Sequence, residues 1–229
     1  MTPIPLYISV LFDITVLLFI GMAYRASHRS IYFLIGLLLL GGTQLILGVR
    51  GFYDKRDAVP PRLLFLILPS LIAILVFFIA PKGRVFIDSM GKKTLTLLHI
   101  LRIPVEFVLY GLAVYKAVPF LITFEGRNFD LLSGISAPFV WYFGFIKPKL
   151  SRFVLIAWNV VCLGLLLNVV FYAVLSAPSP FQRFSLDQPN LAIQAVPFLL
   201  LPALIVPLVL LAHLVTIRQL IRTSNNPVL

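Results

Sequence analysis

Acidic residues are scarce in this 229-residue chain, where eight Asp and Glu stand against nineteen Lys and Arg. Charge of either sign is scarce as well: it makes up 12% of the residues, against about 25% in a typical soluble domain, while 60% are hydrophobic. That balance excludes an ordinary water-soluble globule. The single cysteine, Cys162, lies inside an apolar run without an intrachain partner, which excludes a disulfide framework and a Cys-based zinc site. The three histidines do not form the His and Asp clusters that zinc hydrolases need. A phosphate-cradling glycine loop and a Gly-x-Ser-x-Gly nucleophile elbow are also absent.

Long apolar runs take the place of these features. A spanning helix needs about 20 mostly apolar residues, and suitable stretches run over Leu6–Tyr24, Ile31–Val49, Leu63–Ala80, Leu95–Tyr115, Leu131–Ile146, Phe153–Leu175 and Leu191–Ile217. The first lacks a basic leader and a small-residue cleavage site, so it reads as a retained helix. The fifth is short, and the count falls if it is re-entrant. The expected fold is an all-α integral membrane bundle of about seven transmembrane helices over residues 1–221, followed by a disordered cytoplasmic tail at 222–229.

The basic residues sit in short segments between the runs, with no basic stripe of interleaved aromatics, so the expected partner is the lipid bilayer and not nucleic acid. With the N-terminus outside, the cytoplasmic segments hold Arg25, Arg29, Lys82, Arg84, Lys92, Lys93, Lys147, Lys149, Arg152, Arg218 and Arg222. The outer segments hold Arg50, Lys55, Arg56, Arg62, Lys116, Arg127 and Arg183, partly offset by Asp54, Asp57, Glu125, Asp130 and Asp187. This asymmetry places the C-terminus in the cytoplasm of a multi-pass protein of the cell membrane. Val85–Thr94 reads either as a surface-lying segment, with Val85, Phe86, Ile87 and Met90 toward the acyl boundary, or as an ordinary basic loop.

The fourth run carries the strongest functional signal. His99, Arg102, Glu106 and Tyr110 are spaced by three, four and four residues and share one helix face. A charge near the bilayer centre costs at least about 2.5–3.5 kcal/mol, so this face is expected to look into the bundle. Pro104 cannot donate to the Ile100 carbonyl, which predicts a local kink. Arg102 and Glu106 read as a pair, either fixing packing alone or serving as an anion contact and a proton carrier. Asp13 in the first run either meets water or joins Glu106 as a cavity wall. Gln44, Asn159 and Asn168 suit interhelical amide bonds of roughly 0.6 kcal/mol each, and the last two project to opposite sides. Asp130 and Asn190 precede apolar runs and read as helix N-caps. Glu125, Arg127, Asp187 and Gln188 then suit either solvated ion pairs or a polar lid. Prolines at 197, 202 and 207 interrupt the last run, as in discontinuous transporter helices.

Seven spans resemble a microbial rhodopsin in outline, but the seventh has no lysine for a retinal Schiff base. They also resemble the three-one-three sugar transporters, whose Pro-Gln dipeptide is missing from the first and fifth spans. No cofactor is expected, the one alternative being a haem held by His99 and His213. The leading expectation is a transporter or sensory protein that admits a small polar or anionic solute from outside. Its candidate site residues are Arg102, Glu106, His99, Tyr110, Asp13, Glu125, Arg127, Asp130 and Asp187. The rival readings are an enzyme acting on lipid at the outer leaflet through Glu125, Asp130 or Asp187, and a non-catalytic scaffold subunit.

Overall fold

The computed structural model describes residues 3–55 and 61–222; the tail after Arg222 and the loop charges at Arg56 and Asp57 lie outside the described residues. Helix is the only regular structure among the described residues. In chain order the helices are α1 (Leu6–Ala26), α2 (Ile31–Val49), α3 (Leu64–Ile79), α4 (Pro81–Ser89), α5 (Lys92–Val114), α6 (Leu131–Ile146), α7 (Arg152–Leu175) and α8 (Leu201–Arg222). Five of them, α1, α2, α5, α7 and α8, are long and apolar enough to cross a membrane, and α3 with α4 makes a sixth if the bent pair is one span.

Local chemistry sets several helix starts. Ser30 and Ser151 precede α2 and α7 in extended conformation and accept from the backbone N–H of Phe33 and Val154, which caps orphan donors of the first turn. Pro81 opens α4, where its missing donor costs nothing. α4 turns away from α3 by 94°. Gly83 permits that turn, since a Cβ there would sit 2.7 Å from the Phe77 Cα.

The bend fits a surface-lying α4, and Val85 is 72% exposed, but Ile87 and Met90 are buried and do not face outward as expected. The cause is α8. Its Gln219 Nε2 donates to the carbonyls of Ile87 and Met90, each at 2.8 Å, and Arg218 donates to both carboxylate oxygens of Asp88. The bonded Arg218 guanidinium, with Arg222 and Arg84 nearby, holds the Asp88 carboxyl below the usual carboxylate range. On the opposite loop, burial pushes the Tyr53 phenol up to about 12 as it donates to Gln44 Oε1.

Two of the helix-breaking prolines are compensated by side chains from neighbouring helices. Pro69 cannot donate to the Phe65 carbonyl, and Gln44 Nε2 of α2 fills that acceptor at 3.1 Å. Pro207 likewise frees the Ala203 carbonyl, which accepts from Ser70 Oγ of α3 at 2.5 Å. Ser70→Ala should therefore cost about 0.6–1.7 kcal/mol of stability in detergent. In a Pro207→Ala background the carbonyl regains its own amide, and the cost of losing Ser70 should shrink. Equal costs in the two backgrounds would refute the pairing.

One predicted span starts later than expected, and another keeps its bounds but is not α-helical throughout. The last was expected from Leu191, yet α8 starts at Leu201; residues 192–194 form a 3₁₀ turn, and a π turn covers Leu201–Ile205. Tertiary bonds to Leu191 and Ala192, both donating to the Ala117 carbonyl at 2.9 Å, hold the preceding stretch out of the helix. The fifth, α6, has eleven α-helical residues and a five-residue π turn. Its first turn lies beside the middle of α5. Around Pro104, α5 tightens into a 3₁₀ turn at His99–Leu101 and runs on to Val114.

Consequently, non-helical chain fills one end of the bundle. Lys116, at positive φ, ends α5, and residues 117–130 fold back against it, with Ala117, Val118, Ile122, Thr123 and Asn128 all buried. The 188–200 stretch joins them: Gln188 Nε2 donates to the carbonyls of Ala113 and Val118, and Asn190 Nδ2 to that of Ala173. These amides satisfy backbone acceptors at the ends of α5 and α7, as irregular chain inside an apolar bundle requires. Asn190 is thus a cap for the end of α7 and not the expected N-cap of the last helix.

Candidate functional site

His99, Arg102 and Glu106 lie on the bundle-facing side of α5 and are at most 2% exposed. Arg102 sits near the middle of α5, about 15 Å from its start at about 1.5 Å of rise per residue. The anticipated pairing with Glu106 is replaced by one with Asp130. Arg102 Nε donates to Asp130 Oδ2 at 2.5 Å, its Nη2 pairs with Oδ1, and its Nη1 donates to His213 Nε2 at 3.1 Å. All three guanidinium nitrogens are thereby engaged. The fork geometry explains the choice, because Asp130 at the start of α6 presents both oxygens to the planar group.

That arrangement also overturns the capping assignment for Asp130, whose side chain makes no cap bond. Asn128 positions it. Asn128 Oδ1 accepts from the Asp130 N–H at 2.9 Å, which turns its Nδ2 toward Glu106 Oε1 at 2.6 Å and the Ile122 carbonyl at 3.0 Å. Glu106 is left with a second oxygen, Oε2, that has no partner among the described residues.

On the other side of Arg102, Asn159 Nδ2 donates to the Leu155 carbonyl of its own helix, so its Oδ1 faces His213 Nδ1 at 3.0 Å. His213 Nδ1 accordingly carries the proton, and its bare Nε2 accepts from Arg102. His99 stacks on His213 with ring centroids 3.9 Å apart and planes 15° from parallel, and Trp158 meets His99 edge-on. The haem alternative fails on this geometry, since axial imidazoles must point their nitrogens at iron from opposite sides and face-stacked rings leave no space for a porphyrin between them.

A cavity of about 100 Å³ opens beside the cluster. Arg102, Glu106 and Asp130 line it, with Asn190 and a mostly apolar wall that includes Phe12, Leu109, Leu166, Phe198 and Val209. Asn190 contributes Oδ1, which has no hydrogen-bond partner among the described residues. The other candidates from the sequence lie elsewhere. Asp13 is exposed on the outer side of α1, one residue round from the cavity wall Phe12. Tyr110 is half-buried and stacks on Phe124. Glu125 and Asp187 are exposed, and Arg127 donates to the Tyr172 hydroxyl at 2.8 Å while its carbonyl accepts from Asn168 Nδ2.

Asn128 is the participant that sequence reasoning missed, and Asn190 was read only as a cap. Asn128 had one local signal, its position two residues before Asp130, which suits an Asx turn. No curated protein and no solved structure matches the chain. The family described as a domain of unknown function (DUF8737) matches residues 59–221, well over half of the chain, and its extent takes in the whole Arg102, Glu106, Asp130 and His213 cluster. By that match the chain belongs to the DUF8737 family.

Proposed function

We propose that this protein is a multi-pass membrane protein, N-terminus outside and C-terminus cytoplasmic, that binds a small solute in its cavity as a step in transport or sensing. The observation that carries the reading is a pair of buried acceptors, Glu106 Oε2 and Asn190 Oδ1, unpartnered among the described residues and placed at an apolar cavity. A buried polar atom without a partner costs about 1–3 kcal/mol, a cost that a bound molecule relieves. The two non-helical stretches support it further, because irregular chain in membrane proteins lines cavities and binding sites. The lipid-enzyme reading gains nothing from the geometry: Glu125 and Asp187 are exposed, and Asp130 is occupied by Arg102.

Access and orientation are tested together by thiol labelling. In a Cys162→Ala background, Ala192→Cys places a thiol on the cavity wall at the end formed by 117–130 and 188–200. A membrane-impermeant methanethiosulfonate applied to intact cells should label it, whereas Arg25→Cys, exposed in the last turn of α1, should react only after permeabilisation. Labelling of Arg25→Cys alone from outside would invert the orientation, and protection of Ala192→Cys under every condition would remove the open cavity.

A further inference from the structure

The geometry points to a small amphiphilic cation, an alkylammonium in its simplest form, as the solute class of this cavity. The inference rests on the solute-binding reading above and reverses the anion preference that Arg102 suggests by itself. Arg102 is already committed, to Asp130 through Nε and Nη2 and to His213 through Nη1. An incoming carboxylate or phosphate would have to displace Asp130 to reach a guanidinium donor. It would also approach two carboxylates, since the cavity lining holds Glu106 and Asp130 against one arginine. His213 adds no charge in the tautomer its partners impose.

The atoms left open at the cavity are acceptors. Glu106 Oε2 and Asn190 Oδ1, on residues 2% and 0% exposed, lack partners among the described residues. An ammonium group supplies three donors and no acceptor, which complements them, and a bond from a cation to a carboxylate is about twice as strong as a neutral one. The rest of the wall, from Val105, Leu109, Phe198 and Val209, suits a short hydrocarbon body. At about 100 Å³, below the roughly 150 Å³ that accommodates benzene, the cavity limits that body to a few carbons.

Purified full-length protein in detergent, titrated at constant ionic strength with n-butylammonium chloride, sodium butyrate or 1-butanol, decides the matter through its thermal unfolding midpoint. Butylammonium should raise the midpoint saturably and bind at least about tenfold more tightly than either of the others, a preference worth about 1.4 kcal/mol. Glu106→Gln should abolish most of that preference and Asn190→Ala should reduce it, while Glu125→Gln on the exposed loop leaves it unchanged. Preferential binding of butyrate, or equal binding of butanol and butylammonium, overturns the cation inference and leaves a solute cavity in place. If none of the three binds and Ala192→Cys is also unreactive, the cavity reading falls with it. Should Glu106→Gln fail to fold, the ranking on the unmodified protein and on Asn190→Ala still decides.

Discussion

Asp130→Leu should destabilise the protein by about 3–5 kcal/mol, because it removes the carboxylate that compensates the buried Arg102 charge. Arg102 is 2% exposed and all but one of its contacts to a charged or polar side chain are with Asp130. Arg102→Leu should be comparably costly through the stranded carboxylate, and the double replacement should recover much of the loss, since a buried pair exchanged for apolar side chains is often neutral. Glu106→Leu should behave differently. It removes one acceptor of Asn128 Nδ2, which keeps the Ile122 carbonyl, so a cost nearer about 1 kcal/mol is expected. Unfolding of these variants in detergent, with the Arg102→Leu and Glu106→Leu double beside them, gives the comparison. Recovery in Arg102→Leu with Glu106→Leu, and none in Arg102→Leu with Asp130→Leu, would show that the pair runs along α5 after all.

Gly83→Ala should also be costly, by about 1–3 kcal/mol, even though alanine normally improves a helix over glycine by roughly 0.5–1 kcal/mol. The reason lies in the 94° turn between α3 and α4. A Cβ at position 83 would come within 2.7 Å of the Phe77 Cα and 2.8 Å of its carbonyl oxygen, and backbone cannot swing aside as a side chain can. Gly164 of α7 is the control, because a Cβ there meets nothing within 4 Å. Thermal midpoints should move in opposite directions for Gly83→Ala and Gly164→Ala. A gain at both positions would mean that the bend opens without strain.

Helix extents were legible wherever charge and turn residues bound an apolar run. Ile31–Val49 and Leu131–Ile146 come out with the bounds that hydropathy predicts, since Ser30, Arg50, Asp130 and Lys147 mark their ends. The start of α8 was not legible. Leu191–Leu200 is as apolar as the helix that follows, and what keeps it irregular is a set of bonds to the Ala117 carbonyl from a distant part of the chain. The buried face of α5 could be read from the spacing of His99, Arg102 and Glu106, but the partner of Arg102 could not. Helical spacing favours Glu106, one turn on, whereas Asp130 approaches only because Asn128 turns the chain at the start of α6. Asp13 shows a different limit: an acid within an apolar run reads equally as meeting water or as walling the cavity, and the line of Ile8, Phe12, Val16 and Phe19 on the inner side of α1 leaves it outside.

The growing chain emerges with its arginine first. Asp130 follows Arg102 by 28 residues, so α5 is synthesised before its countercharge exists. A lone arginine near the middle of a membrane helix costs about 2.5–3.5 kcal/mol on insertion, and the remedy lies in the chain between 115 and 130 together with the first turn of α6. If α5 and α6 span a membrane as proposed, they are expected to enter lipid as one hairpin, already paired, and a ribosome stalled between the two should leave α5 poorly integrated.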